Sequence, residues 1–293
     1  MTLDPATFGA TRLRLLVTGA GGMLGRAVVE AARQRGHDVL AATRADLDVT
    51  VEAAVRPTML EWRPDAVLNC AAYTDVDGAE DDRATADAVN HIGAGLVADA
   101  AAEVGSSIVH VSTDYVFDGS KREPWVESDP VGPLGVYGAT KLGGERLVAA
   151  ANPAHIIVRS AWLYGAGGRN FVDTMLALGA ERDEVSVVTD QVGSPTWTGH
   201  LAGAIVALAE RGETGIHHIA GTGECSWNEF AREIFARAGI DCRVLPATSE
   251  QFPRPARRPA YSVLGSERRD PVVLPSWQQG LAAYLATRMA VSR

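Results

Sequence analysis

Three glycines near the N-terminus, Gly19, Gly22 and Gly25, stand between an apolar run at 13–17 and a helical stretch at 26–35 that Gly36 ends. The order strand, G-x-x-G-x-x-G, helix leaves few folds open. The first glycine permits a tight turn, the second lets the backbone approach a pyrophosphate, and the third lets the helix pack against the strand. The helix N-terminus then offers free N–H groups and a positive dipole end to phosphate. Glycine spacing alone is a weak signal; between a strand and a helix it predicts a dinucleotide-binding turn.

The chain beyond the turn keeps the same rhythm. Apolar runs at 39–42, 66–70 and 107–112 read as strands, and stretches at 51–62 and 84–104 read as the helices between them. Such alternation predicts an α/β fold, a Rossmann-type doubly wound parallel sheet. Residues 118–135 collect Pro, Gly and charge and read as a loop over the site; a helix is expected from Tyr137 to about Ala151, then a strand at 155–159. Gly138, Gly143 and Gly144 weaken that helix, which suggests that something packs close to its backbone. The glycine-rich 164–168 marks the domain change, so 1–165 is expected to be the nucleotide-binding domain and 166–293 mainly a smaller C-terminal α/β substrate lobe. Within the latter, helices are expected at 170–180 and 198–211 and strands at 185–189 and 216–220, with parts of 185–220 packing back on the first domain. Ser226-Trp227-Asn228-Glu229 and Ser276-Trp277-Gln278-Gln279 are capping boxes that open helices to about 238 and 288, and 246–259 reads as a Pro- and Arg-rich loop.

Composition removes several classes of function. The chain has 293 residues, 46% hydrophobic and 22% charged, which suits a large soluble core. Its net charge of −9 argues against nucleic acid or an anionic membrane surface as partner. No apolar run approaches the ~20 residues that span a bilayer. Residues 1–11 lack a signal-peptide core and read as a short disordered leader, so a cytoplasmic location is expected. The three cysteines, widely spaced, form no disulfide or metal-ligand pattern and suit a reducing compartment. His217-His218 read as packed strand histidines rather than a metal pair.

Within that frame the chemistry concentrates at Tyr137-Gly138-Ala139-Thr140-Lys141. On a helix the phenol and the ammonium share one face. A lysine there favours the phenolate and lowers the tyrosine pKa, which tunes the phenol for proton transfer. Only two of the 27 basic residues are lysines, and with six tyrosines the pattern Tyr-x-x-x-Lys is expected about 0.04 times per chain by chance, so a lysine kept at this spot is informative. Thr113, at the end of the fourth strand, would reach the same crevice outside the carboxyl ends of the strands. The second strand ends Ala41-Ala42-Thr43-Arg44 without an acid, so Arg44 points to the 2′-phosphate of NADP(H); Asp46 and Asp48 close by leave NADH open.

The glycine turn, the strand-end Ser112-Thr113 and Tyr137/Lys141 together resemble the extended short-chain dehydrogenase/reductase superfamily. The chain is most similar there to the dTDP-4-dehydrorhamnose reductase family. The likeness runs over about 12–264 and rests on NCAAYTDVDGAE from Asn69, STDYVF from Ser112, VYGATKLGGE from Val136, RSAWLY from Arg159, Asn170-Phe171, DQVGSPT from Asp190 and Arg258-Pro259. It implies reduction of C4 of a 4-keto-6-deoxy nucleotide sugar to give dTDP-L-rhamnose for surface polysaccharide. Tyr137 would be the general acid. Lys141 would lower its pKa and hold the nicotinamide ribose, and Thr113 would support the tyrosine and bind substrate with Asp114. Gly19, Gly22, Met23, Leu24 and Gly25 would line the pyrophosphate, Asp48 and Val49 the adenine, and Ala71, Ala72 and Tyr73 the length of the cofactor. Trp162, Asn170 and Arg258 would contact the nucleotide sugar. Some members carry a glutamate two residues after the last glycine for a magnesium-bridged dimer; here that residue is Ala27, so no metal is expected, and the chain is read as a monomer or homodimer. Dehydratases of the same fold carry Thr-Asp-Glu where this chain has Thr113-Asp114-Tyr115. Another nucleotide-sugar reductase or epimerase, or a non-catalytic NADP-binding regulatory subunit, stays as the alternative.

Overall fold

A computed structural model describes residues 12–291, with side chains to residue 288. The leader expected at 1–11 lies outside the described residues. Five strands, β1 (Arg14–Thr18), β2 (Asp38–Ala42), β3 (Ala66–Asn69), β4 (Ser107–Thr113) and β5 (His155–Ser160), join the later strand Gly215–His218 in one sheet. Its order is Gly215–His218, β5, β4, β3, β1, β2, and every pairing is parallel. Both faces of the sheet are covered, as all-parallel sheets require.

Neighbouring strand residues point to opposite faces, and β1 shows the consequence. Leu15 and Val17 pack with Val28 and Val29 of helix α1 (Met23–Gln34) and with Leu201 and Ile205 of the helix Thr198–Arg211. Leu16 packs on the other face with Val55 and Met59 of helix α2 (Glu52–Trp62) and with Val97 and Ala98 of the helix Ala94–Glu103. Each such aliphatic side chain contributes about 1.5–3 kcal/mol on full burial.

The second lobe has its own core. Val185, Val187, Phe230, Ile234, Phe235, Leu281 and Tyr284 are buried together. They come from the strand Glu184–Val188 and the helices Trp227–Ala238 and Trp277–Val291, and the helix Phe171–Glu181 packs beside them. Both capping boxes form: Ser226 and Glu229 exchange side-chain and backbone bonds, as do Ser276 and Gln279.

Three elements differ from the sequence reading. Helix α1 begins at Met23, because Gly22 takes an extended backbone and serves as its N-cap. The long helix expected at 84–104 is broken into Gly78–Asp81, Arg83–Asp87, a π turn Ala88–Gly93 and Ala94–Glu103. There the Asn90 side chain accepts from Tyr73 N–H at 2.8 Å and donates to Tyr73 C=O at 3.0 Å, while a Cβ at Gly144 would stand 2.1 Å from the Asn90 carbonyl. The expected loop at 246–259 starts as the end of a strand, Arg243–Ala247, which pairs in parallel with Glu184–Val188. In a two-stranded ribbon both strands are edges, so Pro246 is tolerated.

Candidate active site

A cavity of about 850 Å³ runs along the carboxyl ends of the strands, from the glycine turn to the second lobe. Gly19 begins it with φ +65°, and a Cβ there would meet Ala71 N at 2.7 Å; one at Gly25 would meet the Gly19 carbonyl at 2.2 Å. No side chain caps α1 at Gly22, so the first-turn amides carried by Met23 and Leu24 lack intrahelical partners. Backbone this close, ending in a bare helix N-terminus, fits a dinucleotide pyrophosphate. Gly168 lies against the start of α1, where its Cβ would be 3.1 Å from Met23, and the exposed Arg169 joins the cavity wall beside it.

Arg44, Asp48 and Val49 line one end of the cavity. Arg44 is exposed and 3.4 Å from Asp48. The Asp48 carboxylate is held below its ordinary range first by bonds from Thr50 and then by Arg44. Asp46 turns back to Thr43, whose N–H and hydroxyl both donate to it. That leaves the Arg44 guanidinium as the group presented to solvent beyond β2. Ala71, Ala72 and Tyr73 form the floor.

At the centre, β4 and β5 put Thr113 beside Ser160. The Thr113 hydroxyl accepts from Tyr115 N–H at 3.2 Å and donates to Asp114 at 3.0 Å. Asp114 is buried, and its Oδ2 has no hydrogen-bond partner. Burial pushes its carboxyl up to about 7. Tyr137 is partly buried; burial pushes its phenol up to about 12, opposed by the Thr113 hydroxyl and reinforced by the Asp114 charge.

Lys141 is buried one turn on. Burial pulls its ammonium down to about 8, against Glu145 and Cys70. Its Nζ donates to the Val111 carbonyl at 2.6 Å and lies 3.4 Å from His110 Nε2. The sequence reading gives Lys141 the task of lowering the Tyr137 pKa; here burial of the phenol outweighs any such effect, and the ammonium faces β4. His110 is itself braced. Ala71 N–H and the Thr18 hydroxyl donate to Asn69 Oδ1, so the Asn69 amide nitrogen faces His110 Nδ1 at 3.1 Å and Nδ1 accepts. The His110 Nε2 lies towards Lys141, and the Val111 carbonyl anchors the ammonium.

Trp162 also lines the cavity, with φ +48° and its indole stacked on Trp227 at 3.5 Å between centroids. Two expected contacts stand behind the wall instead. Asn170 caps the helix Phe171–Glu181, accepting from Asp173 N–H at 3.0 Å and donating to the Gly165 carbonyl at 2.9 Å. Arg258 grips Asp77 with two bonds of 2.7 and 2.9 Å. Ala27 packs on α1 against the sheet core. Sequence reasoning missed Trp227, Arg169 and Ser160 on the wall and Asn90 behind Tyr73. The capping box shows that Trp227 opens a helix, but nothing in the sequence puts it opposite Trp162.

The RmlD substrate binding domain model matches residues 13–289. A dTDP-4-dehydrorhamnose reductase of Streptomyces griseus is 49% identical over 88% of this chain and 87% of its own. One of Mycolicibacterium smegmatis is 48% identical over 87% of this chain and 79% of its own. A dTDP-4-dehydrorhamnose reductase of Bacillus anthracis, solved in complex with NADP, superposes with a TM-score of 0.92 at 40% identity, covering 94% of this chain and all of its own. A match from residue 13 to residue 289, and relatives this similar over most of their length, settle the family: the chain belongs to the RmlD substrate binding domain family, that of the dTDP-4-dehydrorhamnose reductases.

Proposed function

We propose that this chain reduces the C4 keto group of dTDP-4-dehydro-L-rhamnose with NADPH, giving dTDP-L-rhamnose for cell-surface polysaccharide. The observation that carries the reading is the convergence of Thr113, Tyr137 and Lys141 on the cavity that starts at the glycine turn. The strand end supports it: Thr113 and Asp114 are followed by Tyr115, where a dehydratase would need a second acid/base group.

When bound, the cofactor supplies a hydride. Gly19, Gly22, Gly25 and the amides of Met23 and Leu24 hold its pyrophosphate, and Arg44 takes the 2′-phosphate. Asp48 and Val49 flank the adenine; Ala71, Ala72 and Tyr73 support the rest. Tyr137 gives its proton to the sugar O4, because a phenol held near 12 stays loaded at neutral pH. Thr113 orients that oxygen, and Lys141 holds the ribose hydroxyls while its charge offsets the phenolate left behind. Asp114 and Trp162 bound the sugar. Asn170 fixes the loop carrying Arg169, and Arg258, paired with Asp77 and donating to the Ala256 carbonyl, steadies the segment behind the wall. Residues 1–165, with the helix and sheet strand of 198–218, serve the cofactor; the remainder serves the substrate. The enzyme acts in the cytoplasm as a monomer or homodimer and uses no metal. Among the described residues no helix is long and apolar enough to cross a membrane.

Steady-state assays with dTDP-4-dehydro-L-rhamnose and either cofactor test this. NADPH should be preferred over NADH. Tyr137→Phe should lower kcat by about 10²–10⁴-fold with NADPH affinity within several-fold. Normal turnover by Tyr137→Phe would remove the tyrosine from its role.

A further inference from the structure

Trp162 carries an unusual burden. Among the described residues it and Arg63 are the non-glycine residues with positive φ, and Arg63 ends helix α2. A bulky side chain rarely adopts that backbone, and it persists only where the surroundings hold it. Here they come from the second lobe. The indole lies flat on Trp227, 3.5 Å away and within 2° of parallel. Gly193 leaves room for the same ring, since a Cβ there would stand 2.4 Å from it. Gly193 and Trp227 belong to one unit: Gly193 pairs with Cys225 in an antiparallel ribbon, and Ser226 then caps the helix that Trp227 opens. Phe171 braces Trp227 at 4.5 Å. The Trp162 carbonyl is also held, accepting from Thr196 N–H at 3.1 Å.

The position of this stack matters. Trp162 is two residues beyond Ser160, which pairs with Thr113 at the reacting end of the sheet. Both tryptophans line the cavity with Thr113, Tyr137 and Lys141. The hydroxyls and the ammonium supply its polar side, and the stacked indoles supply a flat apolar one. A 6-deoxy sugar has a matching C–H face.

Resting on the functional reading above, we infer that Trp227 is a positioning residue for the sugar: it holds Trp162 in its strained backbone, so that the pair forms the wall against which the C–H face of the keto sugar packs. A role confined to holding the lobes together would disturb cofactor and substrate binding alike. Kinetics of Trp227→Phe and Trp227→Leu separate the two. Trp227→Leu keeps apolar bulk without a ring and should raise KM for dTDP-4-dehydro-L-rhamnose about tenfold, with KM for NADPH within about twofold; Trp227→Phe should recover most of the loss. Parallel increases in both KM values, or no increase in either, would overturn the inference. Binding of dTDP-L-rhamnose, followed by tryptophan fluorescence without turnover, keeps the inference apart from the functional reading. The midpoint of that change should move to about tenfold higher dTDP-L-rhamnose in Trp227→Leu, read from the remaining tryptophans, even if no NADPH is oxidised; an unmoved midpoint, or no change in the wild type, overturns it.

Discussion

Burial acts on the ionisable groups around Thr113 in opposite directions, raising Tyr137 and Asp114 and lowering Lys141. Asp114 is the most exposed to pH. Its ordinary value of 3.8 is raised to about 7, so the folded chain binds this proton more tightly than the unfolded chain does. The stability this gives is complete below about 4 and is lost as pH rises to about 7. Asp114→Asn removes the charge and should raise stability at pH 8 by roughly 1–3 kcal/mol, with the gain vanishing near pH 4. Thermal denaturation at the two pH values checks this; equal gains at both would mean that the buried charge is not the cause. The same variant should lose activity, as expected where a site keeps a costly group for function.

The elements around the site are tied by close backbone approach, and the Tyr137 helix (Val136–Ala151) shows it best. Gly144 lets that helix sit against the π turn, so Gly144→Ala should cost about 1–3 kcal/mol in denaturant unfolding by forcing the helices apart. It should also weaken NADPH binding, because Asn90 in the π turn braces Tyr73. Gly203, in the helix Thr198–Arg211, has nothing within 4 Å of its missing Cβ, so Gly203→Ala should instead stabilise by about 0.5–1 kcal/mol. Equal effects at the two glycines would remove the packing argument. The contrast also explains what the sequence can reveal. The sheet strands are legible because each is a short apolar run bounded by turn residues, and the glycine turn because strand, glycines and helix are contiguous. Tyr137 and Lys141 are legible because a helix fixes their spacing. The π turn is not, since it depends on Gly144 arriving from another helix. Nor is the strand Arg243–Ala247, whose partner is distant in sequence, or the Trp162–Trp227 stack. The placement of Arg258 behind the wall is hidden for the same reason: its partner Asp77 lies far back in the chain.

Across the whole molecule, a buried ion pair joins the Tyr137 helix to the sheet. Arg159 of β5 donates to Glu145 at 2.7 and 2.9 Å, Ser112 of β4 donates to the same carboxylate at 2.5 Å, and Arg159 lies 3.4 Å from His218 on the neighbouring strand. Leaving Arg159 without its partner in the interior should be severe: Glu145→Ala is expected to cost about 3–5 kcal/mol of unfolding free energy. A loss below about 1 kcal/mol would show that this pair does not anchor the helix. With the helix anchored, Tyr137 stands where the sheet lobe meets the second lobe, and the reading of the whole chain is that it consumes reduced cofactor. The most direct test is the stoichiometry of NADPH oxidised to dTDP-L-rhamnose formed from dTDP-4-dehydro-L-rhamnose. One NADPH per product is the predicted result; product formed without net NADPH oxidation, or no oxidation with this substrate, would contradict it.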